Sequence, residues 1–179
     1  MLALQGQWSL GCAGGQLPNR VVRDCARSFT RDLTVHTIRL VYASDALAGL
    51  NYRDFVAIME RAGERNRELA ITGMLCYGGG QFLQALEGER DAVNALYHRI
   101  VTDGRHTNYR LLSVEEIETR AFPEWSMKIV DWSTTVSAPR QAILLRHTGS
   151  SVFDPRNMSA AHALAFLNDL AAAERLLLE

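Results

Sequence analysis

The order of hydrophobic patterns between residues 37 and 132 constrains the fold of this 179-residue chain more than any other feature. Apolar residues that alternate with a period of two predict strands, whereas apolar residues three and four positions apart predict helices. Here two helical patterns interrupt a series of strand patterns. Each element must bury its apolar side against another element, so we expect a sheet with helices packed on it.

The predicted elements follow the order β-α-β-β-α-β-β. Strands are predicted over residues 37–44, 68–78, 81–88, 107–118 and 125–132, and helices over 50–66 and 89–103. The glycine run at 78–80 separates two of the strands and predicts a hairpin. This order predicts an α+β, ferredoxin-like sandwich with two helices on one face of a mixed sheet.

Both ends of the chain depart from this pattern. Residues 1–35 show no sustained period and predict a loosely ordered leader, with a short helix near 20–31. Residues 36–133 form the predicted domain, and 134–179 form a C-terminal helical extension. The extension contains helices over 138–147 and 159–179, the second capped by Ser159. Its apolar residues must cover either the free face of the sheet or a partner: Ala163, Phe166, Leu167, Leu170, Leu176 and Leu177.

Composition excludes several classes of protein. The formal net charge is −1, which gives no general attraction to nucleic acid or to an anionic membrane. The N-terminus lacks the pattern of a secretory signal, and no stretch approaches the roughly 20 apolar residues that cross a bilayer. Three scattered cysteines and five scattered histidines form no disulfide framework and no metal motif. We therefore expect a cytoplasmic protein that binds no metal.

Three polar residues occupy positions that the pattern reserves for apolar ones. Gln84 shares a strand face with Phe82 and Leu86, Tyr42 lies on the apolar face of the first strand, and Asn66 lies on the apolar stripe of the first helix. Taken singly, each has a structural explanation: a tyrosine with one partner, a helix C-cap, or a glutamine that faces water. Together they predict a polar pocket between the first helix and the sheet.

The second predicted helix carries Arg99 and Asp103 four residues apart, and His106 follows soon after. Such a pair is often a solvated ion pair of small energy. Alternatively, the pair faces the groove between the helices and meets the polar edge of a ligand. The glycine run lacks the lysine of a phosphate-binding loop, and the serines lack the context of a nucleophile.

The run from Ile38 to Trp132 resembles the BLUF family, blue-light sensors that use flavin. The matching segments are LVYAS, the helix ending in Asn66, ITGMLCY, GQFLQALEGE, the DGRH run at 103–106 and FPEWSM at 122–127. The family's intervals also match, because 24 residues separate Tyr42 from Asn66 and 18 separate Asn66 from Gln84. A further 41 residues lead from Gln84 to Trp125. The order and spacing of these segments make the resemblance specific.

The resemblance implies a flavin, usually FAD, between the two helices with its ring toward the sheet. Tyr42 is then the photochemical donor of an electron and a proton, and Gln84 bridges Tyr42 and the ring. Other residues carried over from the family contact the cofactor: Asn66, Ile58, Arg99, Asp103, Arg65 and His106. Ser44 supports the hydrogen-bond network, and Trp125 and Met127 on the last strand relay the signal.

The resemblance thus implies a photoreceptor that is not an enzyme. Its signal passes to a separate protein or through a changed homo-oligomeric state, with the terminal helices and an exposed sheet face as contact surfaces. One alternative is a flavin-free interaction module on the same fold. Another is a small enzyme such as an acyl-phosphate hydrolase, for which the glycine hairpin offers no convincing anion-binding loop.

Overall fold

A computed structural model describes residues 36–47, 60, 62–125, 127–132 and 136–176 of the chain. These residues belong to one compact unit that spans 35–179. The predicted leader, with its short helix, lies outside the described residues. The part of the chain described here contains no helix that is both long and apolar enough to cross a membrane.

Five strands form one mixed sheet. They are β1 (Thr37–Ala46), β2 (Thr72–Gly78), β3 (Gln81–Glu89), β4 (His106–Glu116) and β5 (Lys128–Asp131). The strands lie in the order β4-β1-β3-β2-β5, with β2 and β5 parallel and the other neighbours antiparallel. With a helix after β1 and another after β3, this order confirms the predicted α+β, ferredoxin-like fold.

The described helices agree with the sequence patterns. The helix between β1 and β2 is described over residues 62–68 and is called α1. The others are α2 (Arg90–Thr102), α3 (Ala138–Thr148) and α4 (Ala160–Arg175), with a short 3₁₀ helix at Pro155–Asn157. The predicted cap of the last helix is confirmed, because the Ser159 hydroxyl accepts a hydrogen bond from the amide of His162 at 3.2 Å.

The hairpin between β2 and β3 turns on two glycines. Gly79 and Gly80 have φ angles of 58° and 75°, which a residue with a side chain rarely adopts. Positive φ at both central positions is the geometry of a two-residue hairpin turn. The turn pairs Gly78 with Gln81 and thereby sets the register of β2 against β3.

Two predicted strands begin later than expected. β2 starts at Thr72 because the preceding helix continues through residue 68. β5 starts at Lys128, so the predicted strand over 125–132 is shorter than expected, and Trp125 and Met127 precede it instead of lying on it. The amide of Trp125 bonds back to the carbonyl of Phe122 at 3.4 Å, in a turn where the strand period does not apply.

Apolar side chains fill both faces of the sheet. On one face, Leu40 and Leu86 pack with Val93 of α2. On the other face, Val41 and Leu83 pack with residues of α4 and with Phe122: Ala163, Phe166, Leu167 and Leu170. The C-terminal helices therefore cover the free face of the sheet, and the expectation that this face is an exposed contact surface is wrong. The division of the chain at 133/134 stays a prediction.

Phe166 tests this packing directly. Its side chain is fully buried against the sheet, so Phe166→Ala should lower the free energy of unfolding by about 3–5 kcal/mol through lost burial and a cavity. Urea denaturation measures the change. Leu176→Ala is the control, because Leu176 is 72% exposed and its loss should cost less than about 0.5 kcal/mol. Equal effects of the two substitutions would contradict this packing.

Candidate functional site

A cavity of about 470 Å³ lies between the sheet, α1 and α2. This volume is within the usual range for small-molecule sites, about 300–1,000 Å³. Apolar and polar side chains line it together: Tyr42, Ala62, Arg65, Asn66, Leu75, Gln84, Leu96, Arg99, Ile100, Asp103, Arg105, His106 and Met127. The structure therefore gathers Tyr42, Asn66 and Gln84, the three polar residues that the sequence pattern singled out, around one space.

Tyr42 and Gln84 meet at the base of the cavity. They lie directly opposite each other on β1 and β3, and the Tyr42 hydroxyl donates a hydrogen bond to Oε1 of Gln84. Tyr42 is fully buried and Gln84 is 5% exposed. Burial raises the pKa of Tyr42 far above its ordinary value, so the phenol keeps its proton. Gln84 therefore does not face water.

The other end of the Gln84 amide points to a weak acceptor. Its Nε2 lies 3.3 Å from the thioether sulfur of Met127, which also lines the cavity. An amide nitrogen offers two donors, and a thioether is a poor partner for either of them. Gln84 thus has one strong hydrogen bond and a donor side that a better acceptor in the cavity can use.

Ser44 and His106 form a second polar contact beside the first. Ser44 follows Tyr42 by two residues on the same face of β1, and its hydroxyl lies 3.0 Å from Nδ1 of His106 at the start of β4. Burial lowers the pKa of His106 from 6.5 to about 4. The imidazole is therefore neutral at neutral pH and links β1 to β4 without a charge.

The ion pair that forms at the cavity is not the one that the sequence predicts. Helix α2 ends at Thr102, so Asp103 has extended backbone and does not continue the helical face of Arg99. Asp103 pairs with Arg105, whose Nε lies 2.7 Å from Oδ1 of the carboxylate. This contact holds the pKa of Asp103 below its usual range. No described carboxylate pairs with Arg99, so the predicted Arg99–Asp103 pair is wrong, although both side chains line the cavity.

Helix α1 supplies Asn66 and Arg65. The Asn66 side chain is buried, and the carbonyl of this residue accepts a hydrogen bond from the amide of Ile71 at 2.8 Å. Arg65 is exposed at the rim of the cavity. Ile58, expected to pack on a cofactor ring, lies outside the described residues. The roles of these residues toward a ligand stay predictions.

Trp125 and Met127 pack on opposite faces of the sheet. Met127 packs on the cavity side of the sheet, whereas Trp125 packs against the cluster that α4 covers. The guanidinium carbon of Arg175 lies 5.4 Å from the centre of the Trp125 ring, and Nζ of Lys128 lies 5.8 Å from it. A cation placed over the face of an indole ring is attracted to the ring. Of the two proposed relay residues, the structure places Met127 in contact with Gln84.

Comparison with known proteins agrees with this geometry. A protein-family description, BLUF, sensors of blue-light using FAD, matches residues 37–128, which is just over half of the chain. The chain belongs to the BLUF family. The match begins with β1, ends at the start of β5 and includes every described residue of the cavity.

The BLUF region is similar to curated and solved proteins. It is 43% identical over 101 residues to photoactivated adenylate cyclase subunit beta of Euglena longa, covering 56% of this chain but 12% of that protein. The structure of BlsA in its photo-activated state covers 75% of this chain and 94% of its own, with 31% identity and a TM-score of 0.67. The dark-state structure of BlrB, a BLUF protein, covers 77% of this chain and 97% of its own, with 31% identity and a TM-score of 0.62.

Sequence reasoning missed Arg105 as a cavity residue of this BLUF domain. Arg105 stands inside the DGRH run, two residues after Asp103, and its guanidinium closes on that carboxylate. A basic residue so close to an acidic site residue is the signal that could have found it. Leu96 and Ile100, on the side of α2 that packs against the sheet, form an apolar wall of the cavity.

The buried imidazole predicts how stability depends on pH. The folded pKa of His106 is lower than the ordinary value, so its contribution is complete above pH 6.5 and is lost as the pH falls toward about 4. The free energy of unfolding should decrease by at most about 1.4 kcal/mol per pH unit in this range. Urea unfolding across the range measures it. His106→Gln should flatten the slope and His98→Gln, at an exposed position, should not; an unchanged slope in His106→Gln would contradict the assignment.

Proposed function

We propose that this chain is a blue-light photoreceptor that binds a flavin, FAD, in the cavity between α1, α2 and the sheet. The observation that carries the proposal is the buried Tyr42–Gln84 hydrogen bond, with the second side of the amide directed to a weak acceptor. The BLUF description, which names FAD, supports the choice of cofactor.

The residues around the cavity fit a flavin ring. Leu96 and Ile100 offer an apolar wall for a flat aromatic system, and Asn66, Arg99 and Asp103 offer donors and acceptors for its polar edge. Arg65, Ile58 and His106 are further proposed contacts. A flavin supplies the absorption of blue light and an acceptor for one electron, neither of which an amino acid side chain provides.

Tyr42 supplies the chemistry on the protein side. We expect the phenol to give up an electron and then its proton, and to recover both, so that the cycle leaves no net oxidation. Gln84 lies on the path of the proton because its Oε1 holds the Tyr42 hydroxyl. When electron and proton return, the amide is left rotated or as its tautomer, with a new set of hydrogen bonds. Ser44 supports this network through His106.

The changed amide alters its contact with Met127. Because Met127 and Trp125 belong to the segment that leads into β5, a shift of the thioether is passed to the packing of Trp125. We propose that this signal leaves to a separate downstream protein or through a changed oligomeric state, and that the chain itself catalyses no reaction.

The absorption spectrum tests this function. The visible absorption of the purified protein, loaded with FAD, should shift slightly to the red under blue light and return in darkness. Tyr42→Phe should abolish the shift while flavin stays bound, because the phenol proton is lost. Tyr97→Phe is the matched control. The Tyr97 ring lies 5.2 Å from that of Tyr42, but the hydroxyl that bonds to Gln84 is that of Tyr42. A protein that stays colourless after addition of FAD would contradict the proposal and favour the flavin-free interaction module.

Flavin affinity tests the position of the cofactor. Arg99→Ala should weaken FAD binding by about tenfold or more, because a hydrogen bond to a charged group contributes about 1.5–3 kcal/mol. Titration of the apoprotein, followed by flavin fluorescence, measures the change. Arg90→Ala is the control on the same helix, since Arg90 pairs with Glu116 and does not line the cavity. Equal losses in both variants would place the flavin elsewhere.

A further inference from the structure

Glu87 is a fully buried carboxylate on the sheet face that points away from the cavity. It follows Gln84 by three residues on β3, so the two side chains project from opposite faces. A buried carboxylate is retained only where charges and hydrogen-bond donors compensate for the lost water.

Three donors surround the carboxylate. Nε of Arg39 lies 2.6 Å from Oε1, and the backbone amide of Ala121 lies 3.0 Å from the same oxygen. The backbone amide of Phe122 donates to Oε2 at 3.0 Å. Nη1 of Arg39 also donates a hydrogen bond to Oε1 of Glu115 on β4, at 3.1 Å. Two of the three donors to Glu87 thus come from the loop that joins β4 to β5.

This same loop carries Met127 to Gln84. Beyond Phe122, the carbonyl of Trp125 accepts a hydrogen bond from the amide of Gly73 on β2 at 3.0 Å. Met127 follows two residues later, with its sulfur 3.3 Å from Nε2 of Gln84. The loop is therefore fixed to β3 at Glu87, fixed to β2 at Gly73, and in contact with the amide at its end.

We infer that Glu87 is a positioning residue for the Tyr42–Gln84 switch: by holding the amides of Ala121 and Phe122, it sets where Met127 meets the amide of Gln84. The role of the switch in photochemistry rests on the proposed function. The geometric part of the inference, that Glu87 sets the place of Met127, does not require a flavin.

Glutamine is the informative replacement at this position. Glu87→Gln keeps the size of the side chain but replaces one acceptor oxygen with an NH₂ group, which faces the backbone amides as a second donor. One loop amide then loses its acceptor. Glu115→Gln is the matched control, because it alters the same Arg39 cluster without touching the loop.

The first readout is the rate at which the absorption of the flavin-loaded 179-residue chain recovers in darkness. Glu87→Gln should change the recovery rate by at least about threefold, whereas Glu115→Gln should leave it within the error of the measurement. In a Met127→Ala background, Glu87→Gln should have no further effect, because Glu87 acts through Met127. Additive effects of the two substitutions, or an unchanged rate in Glu87→Gln, would overturn the inference.

The second readout separates this inference from the proposed function. In protein labelled at the methionine methyl groups, Glu87→Gln should shift the NMR resonance of Met127 and speed amide exchange at Ala121 and Phe122, with or without flavin. Glu115→Gln should change neither. If the wild type shows no light-induced shift, the photoreceptor proposal fails while this test still decides the position of Met127; an unmoved Met127 resonance overturns the inference. If Glu87→Gln does not fold, Glu87→Asp, which keeps the charge on a shorter side chain, is measured in the same way.

Discussion

The hydrogen bond between Tyr42 and Gln84 depends on the register of two neighbouring strands, and the rest of the site depends on that bond. The two residues are direct partners across β1 and β3. A shift of the pairing by one residue would turn Gln84 to the opposite face, away from the cavity. The glycine turn sets β3 against β2, and nine consecutive residue pairs join β1 to β3 with Tyr42 opposite Gln84. The backbone thus holds an amide where the hydrophobic pattern alone would place an apolar side chain.

Burial gives this arrangement its capacity to switch. In a low-dielectric interior, a hydrogen bond is stronger and an unsatisfied polar group is more costly than in water. Gln84 has a strong partner in Tyr42 and a weak one in Met127. Alternative orientations of the amide are therefore few and distinct, because each must place its donors and its acceptor on the same small set of groups. A solvated glutamine would lose this property, since water would satisfy every orientation.

The sequence predicts the regular part of the molecule well, because strict periodicity applies there. The element order, the hairpin and the cap at Ser159 follow from local patterns and are confirmed. The errors occur where an element ends: Asp103 lies just beyond α2, and Trp125 lies just before β5, so neither obeys the period of its neighbour. Glu87 illustrates a different limit. A glutamate that alternates with buried residues resembles a solvent-facing position, and only the tertiary fold reveals that a loop covers it.

The C-terminal helices are tied to the segment that bears Met127. The carboxylate of Glu174, on α4, is buried and lies 3.1 Å from Nζ of Lys128 on β5 and 2.7 Å from Nε of Arg140 on α3. The next residue, Arg175, stacks on Trp125 and donates to the carbonyl of Ala121 at 2.5 Å. Moving Lys128 away from Glu174 would remove one of the two cations that compensate this buried charge, and the loss of that compensation is costly. A displacement of β5 must therefore either be resisted by α4 or carry α4 with it, and this is a physical reason why a change at Gln84 can reach the far side of the sheet.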